Sequence, residues 1–489
     1  MKVKKIILLA LLPVFMQCQD ALNVQPRSLI TAQSMWSDEG DARSGIAGLM
    51  NQFRSTFNGR DYLFWFELRS GFWQFGTSGG GATGDNWRDL FNNTLAASSS
   101  PGTNWSSIYQ TINAANLAIK YIPDISFTAE QEKSRLLSQA YFVRAFSYFA
   151  LVRIFGDVPV VLSGFESIDD ENITPARQPV TEVFAQIKSD LSVGLGLTNP
   201  GDPLSRVLPS RAALNMLKAD VYLWTAKRLN GGDTDLAEAE SAVDQVLGNS
   251  NYQLLDDYEN VFRQESNNEI IFAIHFDVIE DDSQYGNQFS FAIGHVPTAY
   301  QNNPVIIGSH AQWFTFTDHY VDNYLNGGPP DQRTWVNNGE FVGEGLLYRW
   351  INKYIGEWRE GSRFHTSDTR IYRYAEALLF KAEILNARGM TPEAVPYLNQ
   401  IAERAYGVPD YYSQALSSEA LDDGILTERL IEFGAEGKSW FDIIRFGKAF
   451  ERIPSLAGKE QEHDGNILLF PIAPETITRN PNIEQTPGF

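Results

Sequence analysis

Apolar residues return at every third or fourth position over long stretches of this chain, the spacing that lines one face of an α-helix. The longest stretch predicts a helix from Thr128 to about Ile154. Within it Leu137, Tyr141, Ala145, Phe149 and Val152 share a face, and Phe142 and Phe146 add a second apolar face. Thr128 with Gln131 makes a capping-box pattern at its start, and Gly156-Asp157-Val158-Pro159 stops it. Two later segments predict helical hairpins. Leu214, Leu217, Val221 and Trp224 line one helix, Asn230-Gly231-Gly232 breaks it, and Leu236, Ala239, Val243 and Val246 line the next. Ile371, Ala375, Leu378, Ala382 and Leu385 likewise run to Gly389, and Thr391-Pro392 opens a partner through Val395, Leu398, Ala402 and Ala405.

Paired helices of this length resemble tetratricopeptide-type units, whose period is about 34 residues. The Trp and Pro consensus of those repeats is degenerate here, so the expectation is helix pairs and not a regular array. Two stretches break the periodicity. Residues 59–107 carry Trp65, Trp73, Phe75, Trp87 and Trp105 among many Gly, Asn and Ser. Residues 280–345 carry Tyr285, Tyr300, Trp313, Phe314, Phe316 and Trp335 among Gly, Pro and Asn. Long irregular segments inside a compact domain usually serve a function. The pairs therefore read as scaffold and these two stretches as the working face, with their aromatics suited to flat ligands.

The N-terminus sets the compartment. Lys2, Lys4 and Lys5 precede an apolar run of ten from Ile6 to Phe15, the build of a signal peptide and too short to span a bilayer. Cys18, the one cysteine of 489 residues, follows directly. That placement predicts a bacterial lipoprotein whose Cys18 becomes the lipidated first residue. An ordinary cleaved leader is the alternative, since Gln17 stands where a small residue is usual. Residues 1–17 then form the signal peptide, 18–35 a lipid-anchored tether and 36–489 a single domain.

Without the three leader lysines, 36 Lys+Arg face 60 Asp+Glu, a net charge of −24. So acidic a chain is repelled by phosphate backbones and anionic lipid, which argues against nucleic acid as a partner. Other tempting motifs fail on context. Residues 79–84 match GxGxxG and residues 76–80 match GxSxG, but no βαβ unit or α/β sheet surrounds either. The six histidines never fall in HxxxH or HExxH spacing, so no zinc site is expected, and no motif that stands calls for a cofactor. Asp277, Glu280, Asp281 and Asp282 lack the spacing of a calcium loop. No carboxylate pair is singled out for glycoside hydrolysis.

Four segments read together carry a resemblance. Ala140-Tyr141-Phe142-Val143-Arg144-Ala145 leads into Arg153 and Gly156-Asp157-Val158-Pro159. Arg373-Tyr374-Ala375-Glu376-Ala377-Leu378 leads into Lys381-Ala382-Glu383. Glu428-Arg429 precedes Glu432-Phe433, then Glu436-Gly437-Lys438-Ser439-Trp440-Phe441-Asp442 and Arg445. Last come Leu469-Phe470-Pro471-Ile472, Asn480-Pro481-Asn482 and Thr486-Pro487-Gly488-Phe489. In this order, over nearly the whole mature chain, they resemble the SusD/RagB family of outer-membrane nutrient-binding lipoproteins. Physically, Arg and Glu recurring inside apolar helices suggest charges paired and buried between helices, so these motifs are scaffold.

The resemblance implies the rest. The expected fold is mainly α, a SusD-like scaffold of tetratricopeptide-type helix pairs with a large loop-rich ligand-binding face. The expected role is a cell-surface lipoprotein, not an enzyme, that captures oligosaccharides and delivers them to a SusC-like TonB-dependent outer-membrane transporter. Capture of peptides and, from another class, a lipid-anchored glycoside hydrolase are the alternatives. Trp73 and Phe75 from the first stretch, with Tyr285 and Trp313 from the second, are the expected sugar platforms. Trp105 and Trp440 are expected in the core.

Overall fold

A computed structural model describes residues 35–76, 85–167, 173–279, 283–309 and 311–489. The leader, Cys18, the glycine-rich stretch from Ser78 to Gly84, the acidic Glu280–Asp282 and His310 lie outside the described residues. The fold is mainly α-helical. Helices Glu39–Phe57, Ser106–Tyr121, Glu130–Phe155 and Val180–Gly196 pack in succession, and Glu130–Phe155 takes the middle. As its two apolar faces predict, nearly every side chain from Ser138 to Phe155 is buried.

Both hairpins form. Arg211–Arg228 packs against Gly232–Leu247, and Tyr374–Ala387 against Thr391–Tyr406. The pairs abut, because Gly232–Leu247 also packs on Tyr374–Ala387, whose other side takes Ser418–Glu432. One core cluster runs from Ala42 to Ile483, and a second fills the space between helices Tyr374–Ala387, Thr391–Tyr406 and Ser418–Glu432.

The boundaries differ from expectation in two places. Ile371 is not helical. It sits in strand Thr369–Arg373, antiparallel to Ile270–Ile274, and the helix starts only at Tyr374 after an extended Arg373. A fully buried strand next to a helix continues the apolar run, so spacing alone does not separate them. The helix expected from Thr128 begins at Glu130, and the residue before it, Ala129, makes no side-chain cap. Glu39, from a different helix, accepts the Thr128 N–H instead. At the far end Gly156 adopts φ +75°, and a Cβ there would meet Leu469 Cδ1 at 2.9 Å, so glycine is required to stop the helix.

The irregular stretches are more structured than their sequence suggests. Residues 59–107 hold helix Arg60–Phe66, strand Trp73–Phe75 and helix Arg88–Asn92. From Tyr62 to Ser70 every residue is buried, so this stretch is core on one side and surface on the other. Residues 280–345 supply short strands, among them Phe314–Phe316 and Asn338–Gly343.

The motif charges pair inside the protein. Arg373 reaches Glu269 at 2.7 Å and Glu436 at 2.9 Å, Arg404 reaches Glu269 at 2.9 Å, and Arg333 reaches Glu428 at 2.8 Å. Arg429 bridges Glu376 (2.8 Å) and Asp442 (2.9 Å), and Arg445 bridges Glu383 and Asp442, both at 2.9 Å. All these groups are buried. Arg153 departs from the pattern. Its guanidinium lies 3.6 Å from the Phe149 ring centroid and 4.3 Å from that of Phe441, and its Nε donates to the Phe149 carbonyl. Burial pushes its pKa down, and aromatic faces supply much of the compensation.

Candidate ligand-binding site

Backbone pairing joins the two aromatic stretches. Strand Trp73–Phe75 runs antiparallel to Phe314–Phe316, with Trp73 opposite Phe316 and Phe75 opposite Phe314. The ladder continues as the Gly76 N–H donates to the Trp313 carbonyl at 2.8 Å. A Cβ on Gly76 would fall 2.4 Å from the Gln312 carbonyl oxygen, so only glycine lets the chains approach this closely.

The inner end of this ribbon is core. Trp73 is 2% exposed, packs on Phe316 (4.7 Å between centroids) and Phe289 (5.8 Å), and donates its Nε1–H to Glu67 Oε2 at 3.2 Å. Glu67 also accepts the backbone N–H groups of Gly437 (2.6 Å) and Lys438 (3.1 Å). Burial outweighs these donors and lifts its carboxyl to about 7. Tyr285 is fully buried, edge-on to Tyr62 and Tyr354, and its hydroxyl donates to the Ala435 carbonyl at 2.7 Å. Trp73 and Tyr285, expected as platforms, therefore present no face to a ligand. Each instead closes a hydrogen bond inside the protein, as buried polar aromatics must.

The outer end is the open one. Phe75 and Trp313 are half-buried. The Phe75 ring meets Phe91 edge-on at 5.1 Å, and the exposed Arg88 lies 5.1 Å above it. Trp313 stands 5.4 Å from Trp87, itself half-buried and stacked 5.6 Å from Phe314. The exposed Arg60 places its guanidinium 5.4 Å from both indoles. Phe75 and Trp313 are thus the half-open two of the four expected platforms, Phe75 under Arg88 and Trp313 under Arg60. Trp87, Arg60 and Arg88 join them, although the sequence reading did not single them out as contacts. Their signal was the pairing of Trp87 with Arg88, and of Arg60 with Asp61, at the starts of short helices. Trp105 and Trp440 are buried, as expected.

Two half-open indoles under one guanidinium give apolar area together with a fork of N–H donors. That combination holds ligands that have flat C–H faces and many hydroxyls. Among the described residues no group of three His, Cys, Asp or Glu side chains is placed to hold a metal ion, and no helix is long and apolar enough to cross a membrane.

A helical scaffold carrying an aromatic surface site is the class this fold and face define. Two family models match, one described as SusD family over residues 306–489 and one described as starch-binding associating with outer membrane over residues 82–223. SusD-like protein P38 of Formosa agariphila is 27% identical over 98% of this chain and 97% of its own length. The solved structure of Bacteroides fragilis NanU is 26% identical, covers 95% of this chain and all of its own, and superposes with a TM-score of 0.79. A laminarin-binding SusD-like protein, 21% identical over 93% of this chain and all of its own, shares the fold with a TM-score of 0.71. Over the two matched stretches and along the length of these relatives, the chain is similar to SusD-family proteins.

Proposed function

We propose that this protein is a lipid-anchored, cell-surface glycan-binding protein that captures oligosaccharides and hands them to a SusC-like TonB-dependent transporter, without chemical change to the ligand. The observation that carries this reading is the convergence of Trp87 and Trp313 beneath Arg60. Stacking a sugar's C–H face on about 100 Å² of ring at about 25 cal/mol/Å² is worth roughly 2.5 kcal/mol, and the guanidinium N–H groups fix the hydroxyls. The starch-binding description of one matching model and the laminarin binding of one structural neighbour support a carbohydrate as the ligand class. Cys18, behind its basic and apolar leader, supports the anchor. One acyl chain alone holds a membrane only marginally, so attachment through Cys18 requires more than one.

Calorimetry of the mature protein against a polysaccharide panel that includes laminarin and starch oligosaccharides tests the reading, with chromatography of the recovered ligand. The expected result is saturable binding of at least one member, recovered uncleaved and weakened in Trp313→Ala. Cleavage of the ligand, or no binding across the panel, overturns it. Fractionation tests the anchor, since Cys18→Ala should move the protein out of the outer membrane.

A further inference from the structure

The two indoles beneath Arg60 are open to solvent, and the cation above them has no partner. Arg60 is exposed and Trp87 and Trp313 are half-buried, with the guanidinium 5.4 Å from each ring centroid. Among the described residues no carboxylate lies within ion-pair reach of Arg60, and its chain neighbour Asp61 forms no pair with it. Arg88, exposed 5.1 Å above the Phe75 ring, is likewise unpaired. Carboxylates are not scarce, since 60 Asp+Glu face 39 Lys+Arg along the chain. Exposed Arg43, by contrast, holds Glu39 at 2.9 Å and Glu132 at 2.7 Å. A guanidinium left over rings in so acidic a chain is available to a ligand.

The chemistry of these three side chains is one-sided. A guanidinium and two indole N–H groups can only donate hydrogen bonds. A neutral sugar hydroxyl both gives and takes, so donors alone match half of what it offers. A carboxylate or a sulfate ester only takes, and its oxygens accept two parallel N–H bonds from the guanidinium edge. The sugar ring that carries such a group still has a C–H face for the indoles. The net charge of the whole chain opposes an anion mainly at long range, because exposed charges more than about 8 Å apart are largely screened at physiological ionic strength.

On the glycan-binding reading proposed above, we infer that the ligand taken on these indoles is an acidic glycan, bearing carboxylate or sulfate-ester groups, and that Arg60 selects it. Calorimetry of the mature protein with oligogalacturonides and with carrageenan oligosaccharides, each beside its carboxyl-reduced or desulfated counterpart, tests this and separates the two anions. At least one acidic member should bind tenfold or more tightly than its neutral counterpart. Arg60→Gln should erase that advantage at an unchanged melting temperature, and Trp313→Ala should weaken the binding itself. Neutral counterparts that bind as tightly as the acidic members, or an acidic preference that survives Arg60→Gln, overturn the assignment. The glycan-binding reading survives either outcome, provided Trp313→Ala still weakens binding. No binding by any member of these sets or of the wider polysaccharide panel overturns both.

Discussion

The ionic centre and the aromatic face are both made of Arg beside carboxylates or rings, yet they are assembled in opposite ways. Arg373, Arg404, Arg333 and Lys353 sit with Glu269, Glu428, Glu432 and Glu436, where every group is buried and each carboxylate has a cationic partner. Arg60 and Arg88 stand in solvent above Phe75, Trp87 and Trp313. A buried charge tolerates almost no change in its partner, because an unpaired one is severely penalised. An exposed guanidinium over a ring costs little to rearrange, and that freedom is what a ligand surface needs. The recognisable motifs of this chain therefore lie in the first region, and the proposed ligand chemistry in the second.

The largest expected effect tests the first region. Arg373→Ala leaves Glu269 and Glu432 to Arg404 and Glu436 to Lys353, so the buried group carries one uncompensated negative charge more. It should lower stability by about 3–5 kcal/mol in denaturant titration. A loss below about 1 kcal/mol would mean that water reaches the cluster, and the contrast with the aromatic face would fail.

Acid should dissolve the same interior. Burial raises the Glu383 carboxyl, but Arg445 and Lys227 outweigh it and hold it at about 2. A carboxylate with a depressed folded pKa stabilises the fold above its unfolded value, and that contribution is lost as pH falls through the folded one. The stability gap between wild type and Glu383→Gln should therefore close between pH 4.5 and about 2. A gap that stays constant over that window in thermal melts would contradict the pairing.

On the aromatic face the effect should appear in affinity and not in stability. Trp313→Ala and Trp87→Ala should each weaken oligosaccharide binding by one to two orders of magnitude, about 2 kcal/mol, with melting temperatures close to wild type. Both indoles are already half-open to solvent, so truncation leaves no sealed cavity.

What the sequence made legible follows the same division. Helix pairs such as Arg211–Arg228 with Gly232–Leu247 could be read because a helix repeats its core face every turn. The buried pairing of Glu376, Arg429 and Asp442 could be read because charges in apolar helices have few other solutions. Ile371 misled because a buried strand and a buried helix look alike over five residues. At the site, Phe75 and Trp313 are half-open, whereas Trp73 and Tyr285 are buried. Composition could not separate them. Which end of the Trp73–Phe75 strand faces solvent depends on its pairing with Phe314–Phe316, across some 240 residues of chain. Such register is set by the whole fold.

The smallest effect sharpens the boundary between the two regions, because Tyr285 lies close behind the face without belonging to it. Its hydroxyl donates to the Ala435 carbonyl at 2.7 Å, as does that of Tyr354 at 2.9 Å. Tyr285→Phe keeps the ring against Tyr62 and Phe289 and removes one of these two donors. The carbonyl keeps its other partner, so the loss should be that of one ordinary hydrogen bond, about 1 kcal/mol, read as a small shift in the denaturant midpoint. Oligosaccharide affinity should not change. A variant with wild-type stability and a tenfold weaker affinity would show that the Tyr285 hydroxyl reaches the ligand, and the face would then extend a layer deeper than Trp87 and Trp313 place it.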